Sequence, residues 1–116
     1  MAFQDQVAAL EARFLEAYQR GDAAASVDVY TDDAVFLMPG RTAVRGRKAI
    51  EAVTAEDIAS GLKISRMTAF RAEQASDLGY VLETLDTSAG NFMTMLALRR
   101  DDSGTWRVCA EAIVPS

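Results

Sequence analysis

The stretch that decides the fold, residues 18–50, reads YQRGDAAASVDVYTDDAVFLMPGRTAVRGRKAI. Gly21 can adopt the left-handed conformation that ends a helix, and the Asp22 carboxylate can accept hydrogen bonds from the free amides that begin the next one. The apolar run at residues 35–38 predicts a buried strand, which ends at Pro39 because proline cannot donate to a strand ladder. The basic segment after it leads into a third helix, predicted over residues 47–60.

The residues outside this stretch predict one more helix and a sheet. Four strands follow the third helix, at residues 62–73, 79–87, 92–100 and 105–114, with a bulge near Arg66 where the alternation breaks. Helices followed by antiparallel strands are typical of an α+β fold in a single domain, here residues 1–116. Apolar residues spaced alternately by four and three form one stripe of a first helix that ends near Arg20: Phe3, Val7, Leu10, Phe14 and Ala17.

Composition excludes several functional classes. The 116 residues carry a net charge of -5, whereas nucleic-acid binding requires clustered basic residues. The chain contains no histidine, which removes histidine-based acid–base chemistry and imidazole metal ligands. Asp32 and Asp33 are interpreted as turn formers, because two adjacent acids lack the further ligands that a metal needs. We predict no cofactor, no metal site and no nucleic-acid partner.

Several features bear on location. Residues 1–14 include acids and lack the basic start and apolar run of a signal peptide. No segment approaches the roughly 20 apolar residues of a membrane span, so no membrane partner is predicted. The single cysteine, Cys109, cannot form an intrachain disulfide, and nothing argues for an oxidising compartment. These features favour the cytoplasm.

The order of these signals resembles the NTF2-like superfamily, which includes ketosteroid isomerases, SnoaL-like cyclases and DUF4440 or SgcJ-type proteins. The likeness continues through DLGYV at residues 77–81 and GTWRV at residues 104–108, so it covers nearly the whole chain. It implies a cone-shaped α+β fold, with three N-terminal helices packed on a curved, mostly antiparallel sheet. It also implies a deep pocket between helices and sheet, and a homodimer through the outer sheet face.

Ketosteroid isomerases use three polar positions that are apolar in this chain. Their base precedes the proline that ends the first strand, where this chain has Met38. Their oxyanion tyrosine lies eight residues before the aspartate of a Gly-Asp pair, where this chain has Phe14, and their second acid corresponds to residues 94–97. An enolate needs a base and hydrogen-bond donors. We therefore predict that the chain does not isomerise ketosteroids by that mechanism.

Period-two alternation in the strands, fitted to the family pattern, predicts a mostly apolar pocket for a small hydrophobic or carbonyl-containing molecule. Tyr18 also has an alternative interpretation, in which its ring lies in the core and its hydroxyl at the surface. Cys109 has no basic neighbour and is interpreted as an unreactive thiol. The predicted ligand-binding residues are Phe14, Tyr18, Phe36, Met38, Tyr80, Leu82, Thr84, Thr94, Leu96, Cys109 and Ile113.

Glu111 is the candidate catalytic residue because it lies among the apolar residues of VCAEAIV. If Glu111 faces the pocket, burial raises its pKa, which suits a general acid or base. Two alternatives stay open: the phase of the strand differs by one residue, or an arginine such as Arg107 pairs with the carboxylate. Glu83 is predicted to face outward.

Two functions are compatible with the sequence. In the first, the chain binds a small molecule and uses Glu111 for a proton-transfer isomerisation, elimination or cyclisation. In the second, it is a non-catalytic dimeric association or carrier module whose cavity is filled by its own side chains. A homodimer through the sheet is expected because the predicted outward positions are too apolar for a solvated face. These positions are Val81, Leu85, Met93, Met95, Ala97, Val108, Ala110 and Ala112.

Overall fold

The computed structural model describes residues 2–116, which form three helices packed on a curved sheet of six strands. The helices are α1 (Phe3–Gln19), α2 (Ala23–Ser26), which continues into a 3₁₀ turn (Val27–Val29), and α3 (Arg47–Ala59). The strands are β1 (Tyr30–Leu37), β2 (Val44–Arg45), β3 (Ile64–Ala75), β4 (Leu78–Thr87), β5 (Gly90–Arg100) and β6 (Trp106–Pro115). The predicted fold class and order of elements are confirmed, and the short β2 is an addition that the sequence did not predict.

The junction between α1 and α2 forms as its residues predict. Gly21 has a φ of +81°, in the left-handed region, and the Asp22 carboxylate accepts a 2.9 Å hydrogen bond from the Ala25 amide. Because glycine and aspartate each satisfy a local backbone requirement here, the chain reverses within two residues. This turn leads α2 away from α1 and directs the chain toward β1.

The first long strand begins earlier than predicted. The structure extends β1 back to Tyr30, so Asp32 and Asp33 lie within the strand and their interpretation as turn formers was wrong. Both carboxylates are exposed and paired with arginines, Asp32 with Arg47 at 2.8 Å and Asp33 with Arg99 at 2.9 Å. These ion pairs let two adjacent acids occupy an extended segment, where the pairing of β1 with β6 shifts register.

The sheet order is β2-β1-β6-β5-β4-β3, with β1 parallel to β6 and all other neighbours antiparallel. A register shift between Ile64 and Arg66 confirms the predicted bulge. One cross-strand row joins Glu83 on β4 to Thr94 on β5, and the next joins Leu96 on β5 to Glu111 on β6. Residues directly opposite each other in a sheet lie on the same face, so these rows place both glutamates on one side.

Helix α1 lies across that side of the sheet. The Phe3 ring meets the Trp106 ring edge-on, with 4.9 Å between their centroids. Gly79 makes this approach possible, since a Cβ atom there would lie only 2.7 Å from the Phe3 side chain. Among residues 2–116, none of the helices combines the length and the apolar character that crossing a membrane requires.

Candidate functional site

A cavity of about 160 Å³ lies between α1, α3 and the inner face of the sheet. A cavity of roughly 150 Å³ is known to hold a benzene ring, so this one has room for a small ligand. Most of its wall is apolar: Leu10, Phe14, Val29, Phe36, Met38, Leu62, Ile64, Met67, Leu85, Phe92, Leu96, Val108 and Ile113. The polar lining residues are Glu11, Tyr18, Tyr30, Thr54, Asp57, Glu83, Thr87 and Glu111.

Glu111 lines the cavity and is hydrogen-bonded to a buried tyrosine. The Tyr30 hydroxyl donates to Glu111 Oε1 at 2.5 Å. Burial raises the pKa of Glu111 from 4.5 to about 7; the Tyr30 hydrogen bond opposes this shift and the charge of Glu83 adds to it. Burial, followed by the charge of Glu111, holds the pKa of Tyr30 well above its ordinary value. Tyr30 is therefore a neutral donor that orients a carboxyl group able to gain or lose a proton near neutral pH.

The predicted alternative in which Arg107 pairs with Glu111 does not occur. Arg107 pairs instead with Asp101 at 2.6 Å and donates to the Asp28 carbonyl. Glu111 is therefore not paired with an arginine of its own strand, β6.

A second pair of carboxyl groups faces the same cavity. Glu83 is completely buried, and its Oε1 accepts a 2.7 Å hydrogen bond from the Thr94 hydroxyl. Burial raises the pKa of Glu11 to about 9, reinforced by a hydrogen bond with Glu83 and by the charge of Glu83. Ionising both of two hydrogen-bonded carboxyl groups is costly, because the two negative charges repel each other. Glu11 therefore holds a proton at neutral pH and shares it with Glu83.

A fourth carboxyl group lines the cavity from α3. Burial, with the charge of Glu56, raises the pKa of Asp57, while Arg41 opposes the shift. The Tyr18 hydroxyl nearby donates to the Leu62 carbonyl at 2.8 Å, and its ring stacks on Phe14 with 5.9 Å between centroids. Tyr18 thus presents its ring to the cavity while its hydroxyl binds the backbone. The hydroxyl is therefore already engaged by the protein, which is close to the alternative interpretation of this residue.

Most of the predicted pocket residues do line the cavity. The residues that the structure brings together are Phe14, Tyr18, Phe36, Met38, Leu96, Glu111 and Ile113. Thr94 is buried behind Glu83 and contacts it through its hydroxyl. The three positions at which ketosteroid isomerases carry their polar groups are Phe14, Met38 and, within residues 94–97, Leu96. All three are apolar walls of this cavity.

The predicted phase of β4 was wrong by one residue. Val81, Glu83 and Leu85 are buried on the inner side, so Tyr80, Leu82 and Thr84 lie on the outer face and do not line the cavity. Apolar residues occupy both phases of this strand, so alternation alone does not select the inner one. The Thr94 hydroxyl and the Glu11 carboxyl stabilise Glu83 in the interior, which overrides the usual exposure of glutamate.

The predicted place of Cys109 in the pocket was also wrong, because a bulge interrupts β6. Leu98 pairs with Val108 and Ala97 pairs with Ala110, which leaves Cys109 without a partner residue. Its thiol contacts the Ala97 carbonyl at 3.4 Å and not the cavity. The extra residue shifts the phase, so Val108 before it and Glu111 after it both face inward.

Sequence reasoning missed Glu11, Tyr30 and Glu83 as site residues. Glu11 carried a readable signal, because it follows Val7 by four residues and precedes Phe14 by three on the buried side of α1. An acid on an apolar helix stripe is a candidate for a buried functional group. Tyr30 and Glu83 carried no comparable signal, since their burial depends on contacts with distant strands.

The fold, with a ligand-sized cavity between helices and sheet, defines an NTF2-like α+β domain. The chain belongs to the SnoaL-like domain family, whose sequence model matches residues 7–111. No protein of curated function is detectably similar to it in sequence.

Solved structures from several bacteria share the fold. A domain of unknown function with a cystatin-like fold from Nostoc punctiforme PCC 73102 superposes with a TM-score of 0.84 at 18% identity, covering 100% of this chain and 80% of that one. A ketosteroid isomerase-like protein from Erwinia carotovora atroseptica SCRI1043 superposes with a TM-score of 0.77 at 21% identity, covering 95% of this chain and 93% of that one. A conserved protein from Planctomyces limnophilus DSM 3776 superposes with a TM-score of 0.75 at 22% identity, covering 96% of this chain and 95% of that one. At such identities the likeness shows the fold alone.

Proposed function

We propose that the protein binds a small hydrophobic or carbonyl-containing molecule in the cavity and that Glu111 exchanges a proton with it. The corresponding activities are those of an isomerase, lyase or cyclase. The observation that carries this proposal is the hydrogen bond from Tyr30 to Glu111 in the wall of a mostly apolar cavity. Perturbed, oriented carboxyl groups in apolar cavities are the usual form of a general base that works near neutral pH.

The chemistry follows from the state of the two residues. With a Glu111 pKa of about 7, the ionised and the protonated forms of the carboxyl are both populated near neutral pH. Tyr30 engages Oε1, so a bound molecule would meet Oε2. Glu111 would take a proton from a carbon next to a carbonyl group, leaving the electron pair in the enolate. Returning the proton to another carbon isomerises the molecule, loss of a leaving group is an elimination, and internal attack closes a ring.

The test is deuterium exchange, because it detects proton transfer without knowledge of the natural substrate. Cyclohexanone in D₂O should exchange its α-hydrogens faster with the protein than with buffer, as followed by proton NMR. Glu111→Gln should remove this enhancement, whereas Glu73→Gln, an exposed glutamate on β3, should retain it. If NMR shows cyclohexanone in the cavity while exchange stays at the buffer rate, the catalytic part of the proposal is wrong.

The second candidate is a non-catalytic, dimeric association or carrier module. It is favoured by the outer face of β5 and β6, where Met93, Met95 and Val114 are 38%, 53% and 50% exposed. A contiguous exposed apolar face on central strands usually marks an interface, so we propose a homodimer through this face for either function. A carrier would bind the ligand without exchange. The closer likeness to DUF4440 or SgcJ-type proteins and a cytoplasmic location stay predictions.

A further inference from the structure

The carboxyl groups of the cavity have no basic counterpart. Four of them line it, Glu11, Asp57, Glu83 and Glu111, whereas no lysine or arginine of the described residues does. The seven ion pairs among residues 2–116 all use other acids, most of them exposed. Buried charge without a partner is costly. The carboxyl groups therefore have no cation among the residues that line the cavity, and a ligand could supply one.

Two of these groups also have an unsatisfied oxygen atom. Glu83 is 0% exposed and Glu11 is 8% exposed, and apart from the proton that the two carboxyl groups share, no donor reaches the Oε2 atom of either. Buried polar atoms in folded proteins are nearly always paired, so each exception needs an explanation. Both residues line the cavity, so a bound molecule would lie beside this pair of carboxyl groups.

We propose, building on the ligand-binding function argued above, that the ligand carries a primary ammonium group on an apolar body of about benzene size. The ammonium lies at the Glu11–Glu83 pair, and the apolar body extends toward Phe14 and Leu96. An ammonium has three N–H donors and no acceptor, so it can donate to both carboxyl groups in place of the one proton that they share. Glu111, held by Tyr30, then faces the carbon framework of the ligand rather than its charged end.

An organic cation fits the site better than a metal ion does. Among the described residues, no three His, Cys, Asp or Glu side chains converge as metal ligands. Most of the remaining cavity wall is apolar, which suits a hydrocarbon body better than the waters of a hydrated ion. The ammonium also takes the place of the proton that Glu11 holds at neutral pH. Binding should therefore release close to one proton.

The experiment compares four probes of matched size by calorimetry and ligand-observed NMR at neutral pH: benzylamine, benzyl alcohol, toluene and benzoate. We expect benzylamine to bind at least tenfold more tightly than benzyl alcohol or toluene, and benzoate not to bind. Calorimetry of benzylamine in buffers of different ionisation enthalpy should show release of about one proton. This measurement needs no variant. Asp57, Tyr18, Tyr30 and Glu111 also face the cavity, and benzyl alcohol controls for proton changes that they make on occupancy alone.

Variants locate the ammonium. Glu83→Gln and Glu11→Gln should each reduce the preference for benzylamine over benzyl alcohol at least tenfold, while Glu16→Gln, exposed on the same helix, should leave it unchanged. Equal binding of benzylamine and toluene, without proton release, would overturn the ammonium proposal and leave a cavity that binds apolar molecules. Binding of none of the four probes would overturn both this inference and the proposed function.

Discussion

Each face of the central strands carries exceptions to the usual distribution of polar and apolar residues. On the inner face, Glu83 is fully buried and Glu111 lines the cavity; on the outer face, Met95 is 53% exposed and Val114 is 50% exposed. Exposed methionine and buried glutamate are each uncommon, and such exceptions carry more information than the regular pattern does. The inner exceptions are the basis of the proposed ligand site, and the outer ones are the basis of the proposed dimer interface. Adjacent residues of one strand therefore belong to different proposed sites.

The largest effect on stability should come from introducing a charge on the inner face of β4, compared with the same change at the next residue on the outer face. Val81 is 0% exposed on the inner face, so Val81→Asp places an unpaired charge in the core and should cost about 4 kcal/mol or more of unfolding free energy. Leu82 lies on the outer face and is partly exposed, so Leu82→Asp should cost less than about 1.5 kcal/mol. Urea denaturation at low protein concentration measures both. A larger loss for Leu82→Asp would reverse the assigned faces of β4.

The elements themselves could be predicted because local residues determine them. Gly21 and Asp22 define a helix boundary by backbone conformation and capping alone. Pro39 follows the end of β1 as expected. Such signals act within a few residues, so they are readable without knowledge of the rest of the fold.

The phases of β4 and β6 could not be predicted because contacts between strands determine them. Glu83 lies inside because Thr94, eleven residues later, donates to it. Cys109 loses its place in the cavity because a bulge opposite Ala97 and Leu98 shifts β6 by one residue. Glu111 lines the cavity as predicted, although the same strand was interpreted without its bulge. One-residue shifts move every later side chain to the other face, so site predictions fail more readily than element predictions.

The next effect concerns pH and the inner face. Since the folded-state pKa of Glu111 is raised from 4.5 to about 7, the folded state binds more protons than the unfolded state between these values. Stability therefore falls as pH rises through that range, by up to about 3 kcal/mol at about 1.4 kcal/mol per pH unit. Glu111→Gln removes this loss while keeping an acceptor for Tyr30.

We accordingly expect Glu111→Gln to match the unmodified protein near pH 4 and to exceed its stability by up to about 3 kcal/mol near pH 8. Denaturant titrations across that range measure the difference. Glu11 gives the unmodified protein a further decline toward pH 9, because its pKa is raised to about 9, and the variant should retain this part. A variant that is less stable near pH 8 would indicate a cation paired with Glu111 and would remove the basis for its role as a base.

A smaller effect concerns the outer face. Met95 lies opposite Ala112 on β6 and Leu82 on β4, near the middle of the proposed dimer interface. Met95→Lys should raise the dimer dissociation constant at least tenfold, or about 1.4 kcal/mol, because a charge would be desolvated between the sheets. Phe70→Lys is the matched control, since Phe70 is 59% exposed at a bulge of the edge strand β3. Light scattering across a dilution series distinguishes them; a monomer at micromolar concentration before any substitution would contradict the dimer.

The smallest expected effect is on a Δ5-3-ketosteroid, which the protein should not isomerise above the rate of a free carboxylate. Phe14, Met38 and Leu96 form apolar wall where ketosteroid isomerases place their polar groups, so neither the base nor the donors are in their required positions. The cavity of about 160 Å³ also matches a single benzene ring and is too small for four fused rings. Absorbance of the conjugated enone measures turnover, with Glu111→Gln as the control. Turnover that Glu111→Gln abolishes would mean that the cavity widens on binding and that Glu111 replaces the isomerase base from another strand.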